Sequence, residues 1–123
     1  MKKYLSILCL LILTLLLTAC GVYFEGSRIG SDNEFVMNFK MFNTADSQHL
    51  IVEEGETIHA EIIVESSSLS IKVQKDNETP IYEENDICLT DKFDIEIEES
   101  GTYVVTVTGE KAKGSVNFTV VTH

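Results

Sequence analysis

The chain predicts an all-β antiparallel sandwich, Ig-like or jelly-roll-like, of about seven strands. Three observations carry that expectation. From Glu34 onward apolar residues recur with a period of two, turn chemistry returns about every ten residues, and no segment sustains a helical period. This pattern belongs to sheets with one face on a core and one in water, rather than to βαβ units.

Taken in order, Phe35, Met37, Phe39 and Met41 alternate with Val36, Asn38 and Lys40, which marks a half-buried strand. Leu50-Ile51-Val52 reads as a short strand before the turn Glu53-Glu54-Gly55-Glu56. Ile58, Ala60, Ile62 and Val64 alternate with His59, Glu61 and Ile63. Leu69, Ile71 and Val73 follow, with Ser70, Lys72 and Gln74 as their outward partners. Lys75 to Pro80 is turn chemistry, and the single proline follows it without interrupting a ladder. Ile81-Tyr82 resumes an extended segment, Glu83 to Asp86 reads as an acidic loop, and Phe93, Ile95 and Ile97 alternate with Asp94, Glu96 and Glu98. Ser100-Gly101 turns into Tyr103, Val105 and Val107, and Gly109 to Gly114 is expected as the last loop before Val116, Phe118 and Val120. Parity assigns Phe35, Phe39, Phe93, Tyr103 and Phe118 to the core, together with Met37 and Met41. It leaves Tyr82 and Phe42 as the aromatics open to solvent.

The N-terminus carries an address. Met1-Lys2-Lys3 is a positive n-region, and Leu5 to Ala19 is apolar except for Ser6, Thr14 and Thr18. A stretch of about 15 residues matches a signal h-region better than a membrane span, which needs roughly 20. Leu17-Thr18-Ala19-Cys20 closes it and resembles the lipobox of bacterial lipoproteins. The resemblance implies cleavage before Cys20, a covalent diacylglycerol on its sulfur, and a mature chain anchored in lipid on the extracytoplasmic face of a bacterial membrane. The expected organisation is a signal peptide at 1–19, a lipidated cysteine and flexible tether at 20–33, and a sandwich domain at 34–123. A tether of 13 residues, Gly21 to Asn33, would reach about 40 Å.

Charge narrows the partners. The net charge of −11 becomes about −13 when Lys2 and Lys3 leave with the signal. Such a field repels nucleic acid, whose binding relies on Lys and Arg at phosphates, so no nucleic-acid partner is expected. Of the three cysteines Cys9 leaves, Cys20 is acylated, and Cys88 has no disulfide partner. Its neighbours Ile87 and Leu89 point to an inert thiol in the core.

No constellation promises catalysis. The mature histidines His49, His59 and His123 accompany no G-x-S-x-G, H-E-x-x-H or cysteine–histidine signature. No cofactor is expected beyond the diacylglycerol on Cys20. Asp76, Glu83 and Asp86, in closely spaced acids, are the candidates for calcium, although no EF-hand pattern contains them.

The series Leu69-Ser70-Ile71-Lys72-Val73, Pro80-Ile81-Tyr82, Phe93-Asp94-Ile95, Gly101-Thr102-Tyr103-Val104-Val105 and Gly114-Ser115-Val116 is similar to small sandwich domains of bacterial secreted proteins. Pre-peptidase C-terminal-type domains and uncharacterised lipoproteins are the families concerned. The resemblance implies a non-catalytic accessory or binding module, with Tyr103 packed in the core. The expected function is therefore a membrane-anchored, non-enzymatic module that engages a protein partner through a sheet edge or the acidic loops around Glu53 and Glu83. The alternative is a module for a small ligand, carbohydrate or calcium. Cys20→Ala should abolish partitioning into the detergent phase and leave an uncleaved precursor; unchanged partitioning would overturn the anchor.

Overall fold

The protein is described by a computed structural model covering residues 23–122. The signal segment, the lipobox and Cys20 lie outside the described residues. Seven antiparallel strands follow one another: β1 (Phe24–Ser31), β2 (Glu34–Phe42), β3 (Ala45–Val52), β4 (Thr57–Lys75), β5 (Tyr82–Ile87), β6 (Asp91–Glu96) and β7 (Gly101–Val121). They are hydrogen-bonded into one sheet, but two long strands bend so that the sheet folds over itself.

The bends decide the architecture. Residues 57–64 of β4 pair with 114–121 of β7, and residues 68–75 of β4 pair with 103–110 of β7. Around the first pair stand β2, β1 and β6; around the second stand β3 and β5. One layer therefore runs β1–β2–β7–β4–β6 and the other β3–β7–β4–β5, with the apolar faces against each other. At the corner Ser67 and Lys111 adopt left-handed φ values of 64° and 51°. The Lys111 amide donates to Asn43 Oδ1 at 3.1 Å and the Gly109 amide to the Thr44 carbonyl at 2.9 Å. Gly114, at φ +153°, is required there because a Cβ would stand 1.9 Å from the Ile63 carbonyl oxygen.

This folding gives the sandwich two poles. The bend pole holds the corner of β4 and β7, the β2–β3 connection, the start of β1 and the β5–β6 loop. The turn pole holds the turns β1–β2, β3–β4 and β4–β5, and the β6–β7 loop. The β1–β2 turn ties both layers there: the Asp32 carbonyl accepts from Ile51 N at 2.8 Å, and the Asn33 carbonyl from Val120 N at 2.9 Å.

Period two in the sequence becomes the interior. Phe35, Met37, Leu50, Ile58, Ile62, Val73, Val105 and Phe118 are fully buried, and Phe39, Leu69, Ile71 and Tyr103 nearly so. Phe35 and Phe118, cross-strand partners on β2 and β7, stack with ring centroids 6.3 Å apart. Side chains close the two open edges. Arg28 on β1 reaches β3, donating to Asp46 Oδ2 at 2.7 Å, the Ser47 carbonyl at 2.8 Å and Gln48 Oε1 at 3.0 Å. Tyr82 on β5 stacks on Phe93 of β6 at 4.5 Å.

Four expectations are corrected. Residues 24–31, read as part of a flexible tether, form β1; their exposed, Gly- and Ser-containing sequence hides a strand recruited by backbone pairing to β2 rather than by burial. The stretches 58–64 and 69–73 are one strand, as are 103–107 and 116–120, so the expected loop Gly109–Gly114 is a bend inside β7. Phe42 is fully buried, because the bulge in the β2–β7 pairing turns it inward against Phe39 at 5.1 Å and Phe24 at 5.9 Å. Cys88 is exposed: Ile87 takes the last inward position of β5, and the chain leaves the sheet after it.

Gly114→Ala should cost about 3 kcal/mol or more in urea unfolding, since it adds a clash to a left-handed backbone. Gly55→Ala, at φ +91° but with nothing within 4 Å of the added carbon, should cost only about 1–2 kcal/mol. Equal losses would mean that the corner tolerates a side chain.

Candidate functional site

The turn pole concentrates acid. Asp32 and Glu34 stand at the β1–β2 turn, Glu53, Glu54 and Glu56 on the β3–β4 turn, Asp76 and Glu78 on the β4–β5 turn, and Glu96, Glu98 and Glu99 at the β6–β7 loop. That is half of the chain's 20 acidic residues. Between the β4–β5 turn and the β6–β7 loop lies a groove of about 260 Å³. Ile81, Ile95, Ile97 and Tyr103 supply its apolar surface, and Glu78, Glu96, Glu98 and Glu99 its rim. Ile81 is 47% exposed, an isoleucine half open to water beside four carboxylates.

Local chemistry builds the walls. Asp76 takes a left-handed φ of 47°, which lets Glu78 N reach the Lys75 carbonyl at 3.0 Å and Gln74 Nε2 the Glu78 carbonyl at 2.6 Å. Across the groove, Gly55 N donates to the Ile97 carbonyl and Ile97 N to the Glu56 carbonyl, both at 2.9 Å. Glu54 N adds a bond to Ser100 Oγ at 2.7 Å. The β3–β4 turn and the β6–β7 loop therefore stand as one wall. Glu56 accepts from Glu53 N at 2.7 Å and from Thr122 Oγ1 at 2.8 Å, and these donors hold its carboxyl below the usual range.

Among the described residues only Lys75 brings a cation to the groove. Its Nζ lies 2.8 Å from Glu99 Oε1, a pairing that lowers the Glu99 carboxyl and raises the lysine. Glu78 also lies within the field of Lys75, whereas Glu96 and Glu98 face solvent without a base among the described residues, so an arriving cation would meet their charge above an apolar floor.

A second polar cluster lies on the outer face of β4 and β6. His59 Nδ1 bonds Asp94, its Nε2 lies 3.3 Å from Glu61 Oε1, and Lys92 Nζ lies 3.5 Å from the same oxygen. The hydrogen bonds to Asp94 and then Glu61 raise the imidazole pKa, and the bond to His59 lowers that of Glu61. Two carboxylates flank the ring and favour its charged form. The depression of about 440 Å³ beside Glu61, Ile63 and Asp91 has its charge partly compensated by Lys92 and His59.

The residues named from sequence are dispersed. Glu53 joins the turn pole, whereas Glu83 lies on β5 opposite Lys72, away from the groove. Asp86 also lies in β5, with φ +56° and its amide on Ser70 Oγ at 3.3 Å, so the acidic loop expected at 83–86 is strand. Asp76 remains in its turn. Among the described residues no group of three or more His, Cys, Asp or Glu is placed to hold a metal ion. Phe42 is in the core and Tyr82 is half-buried against Phe93, so neither of the aromatics expected to be open to solvent is free on the surface. Sequence reasoning missed Ile81, Ile97, Lys75 and Glu99 as one assembly. The only available signal was an isoleucine directly after Pro80 in an otherwise polar turn.

No family profile and no curated protein matches the chain. Among solved structures it is similar to PliG, a periplasmic lysozyme inhibitor of g-type lysozyme from Aeromonas hydrophila, at 17% identity over 73% of this chain and 88% of that one, with a TM-score of 0.50. It is also similar to the pre-peptidase C-terminal domain of a collagenase from Bacillus anthracis, at 13% identity over 75% and 90% of the two chains and a TM-score of 0.49. A CBM4 structure matches at 11% identity over 80% and 77%, with a TM-score of 0.43. At these identities the likeness is one of fold. No helix among the described residues is long and apolar enough to cross a membrane.

The ion pairs set a pH profile. The His59 contribution is complete below the ordinary histidine value of 6.5 and is lost as pH rises through its raised folded value. Those of Glu56, Glu61 and Glu99 are complete above the ordinary 4.5 and are lost as pH falls through their lowered values. Tm should therefore be highest between pH 4.5 and 6.5 and decline on both sides. His59→Gln should remove the alkaline decline and keep the acid one; an unchanged alkaline decline would mean that another group causes it.

Proposed function

We propose that this protein is a lipid-anchored, non-enzymatic β-sandwich on the extracytoplasmic face of a bacterial envelope. Its role is to hold a basic, amphipathic segment of a partner protein in the turn-pole groove. The carrying observation is the groove itself: an apolar floor with half-exposed Ile81, rimmed by carboxylates whose one neighbouring cation among the described residues, Lys75, is engaged by Glu99. A lysine or arginine entering it exchanges water for Glu96 and Glu98, and an adjacent apolar side chain covers Ile81. Anchoring rests on the lysine-headed apolar run and the lipobox cysteine. The fold shared with PliG, an inhibitor of a lysozyme, supports the choice of a protein partner over a small ligand.

Crosslinking of the full-length protein in the membranes of its own cells, followed by mass spectrometry, tests this reading. One protein should be recovered stoichiometrically, with crosslinks mapping to the turn pole. Glu96→Lys with Glu98→Lys should reduce that recovery about tenfold or more. Equal recovery by the reversed variant, or recovery of no protein, would overturn it.

A further inference from the structure

The start of β1 lies much closer to Cys20 than the expected tether allowed. Gly21 and Val22 alone stand between Cys20 and Tyr23, whose carbonyl accepts the Asn43 amide at 2.7 Å. Phe24 follows at once, paired with Phe42 in the sheet and packed on its ring. Three Cα–Cα steps span at most about 11 Å. The headgroup layer on each side of a bilayer is itself about 5–8 Å thick. A lipid-anchored Cys20 therefore keeps the start of β1 within about 6 Å of the headgroup surface.

The end of the sandwich brought down is the bend pole, since Tyr23, Asn43 and Lys111 are joined there by hydrogen bonds. Its charges nearly cancel: Lys40, Lys111 and Lys113 stand among Glu25, Glu65 and Glu110, and the β5–β6 side adds Asp86 and Asp91 against Lys92. Lys113 pairs with Glu65 at 3.9 Å. The opposite pole carries the acidic turns, which anionic headgroups repel. Among the described residues Tyr23, at 53% exposure, and Leu89, at 75%, project from the bend pole, and Ile63, 46% exposed, stands at the corner between them. Tyr23 and Leu89 belong to opposite edges of the layer β1–β2–β7–β4–β6, about 20 Å apart at the strand spacing of a sheet.

We propose that the bend pole is a lipid-seating surface: the short link from Cys20 to β1 presses it onto the phospholipid headgroups, with Tyr23 and Leu89 entering the interface. The turn-pole groove then stands about 25 Å above the lipid, the length of an eight-residue strand. This inference rests on the lipidation of Cys20 proposed above.

Cys88, exposed in the β5–β6 loop, supplies a native label position on the seated pole. The lipidated full-length protein is reconstituted in vesicles of phosphatidylcholine and phosphatidylglycerol and labelled at Cys88 with a fluorophore. In a second sample Cys88→Ser is combined with Glu54→Cys on the turn pole, so that the label sits there. Headgroup spin-labelled lipid should quench the Cys88 label several-fold more strongly than the position-54 label. Leu89→Asp should reduce quenching at Cys88 without releasing the protein from the vesicles. Equal quenching at both positions, with the protein floating with the vesicles, would overturn the seating and leave the anchor standing. Protein that does not float would remove both.

Discussion

The joint bend of β4 and β7 is the constraint on which the rest of the structure depends. These two strands pair along almost their whole length, and every other strand except β1 hydrogen-bonds to one of them. A flat ladder of that length would leave one broad apolar face in water. Bending both strands at one place brings the apolar halves of the sheet together and makes the interior. The bend demands unusual backbone at facing positions, which Ser67, Lys111 and Gly114 supply. A Cβ at Gly114 would strike the Ile63 carbonyl, so the corner and the core are specified by one close approach of two backbones.

The same bend separates the surface into two chemistries. All turns except the β2–β3 connection and the β5–β6 loop fall at the far end, and those turns carry much of the acid. Like charges there raise the cost of the folded state, and the chain offsets part of it locally. Glu56 accepts an amide and a hydroxyl, and Glu99 takes Lys75. Among the described residues Glu96 and Glu98 have no cation beside them, and they border an apolar floor. In the proposed orientation this unbalanced end faces away from the membrane, and the nearly neutral bend pole faces the lipid.

Sequence reading succeeded where burial writes a pattern. The parity of Phe35, Met37 and Phe39, of Ile58, Ala60 and Ile62, and of Tyr103, Val105 and Val107 names inward faces that the structure buries. It failed where a residue's position depends on a partner strand. β1 has no apolar alternation and exists because β2 offers it a free edge and because Arg28 clasps β3. Phe42 stands at a register shift, and a bulge reverses the parity that reading assigns. Cys88 sits one residue past the end of β5, where parity stops having meaning.

What the sequence by itself determined is the all-β class, most of the core list, and the N-terminal signature on which the proposed anchor rests. Period two and an apolar leader are local properties, written in consecutive residues. Only the tertiary structure decided that four apparent strands are two bent ones, that residues 24–31 join the sheet, and that Ile81, Ile97, Lys75 and Glu99 share one groove. Those outcomes depend on pairing between residues far apart in the chain. Hydrogen-bond register and the turning of a corner are settled between strands, and no single strand carries the information alone.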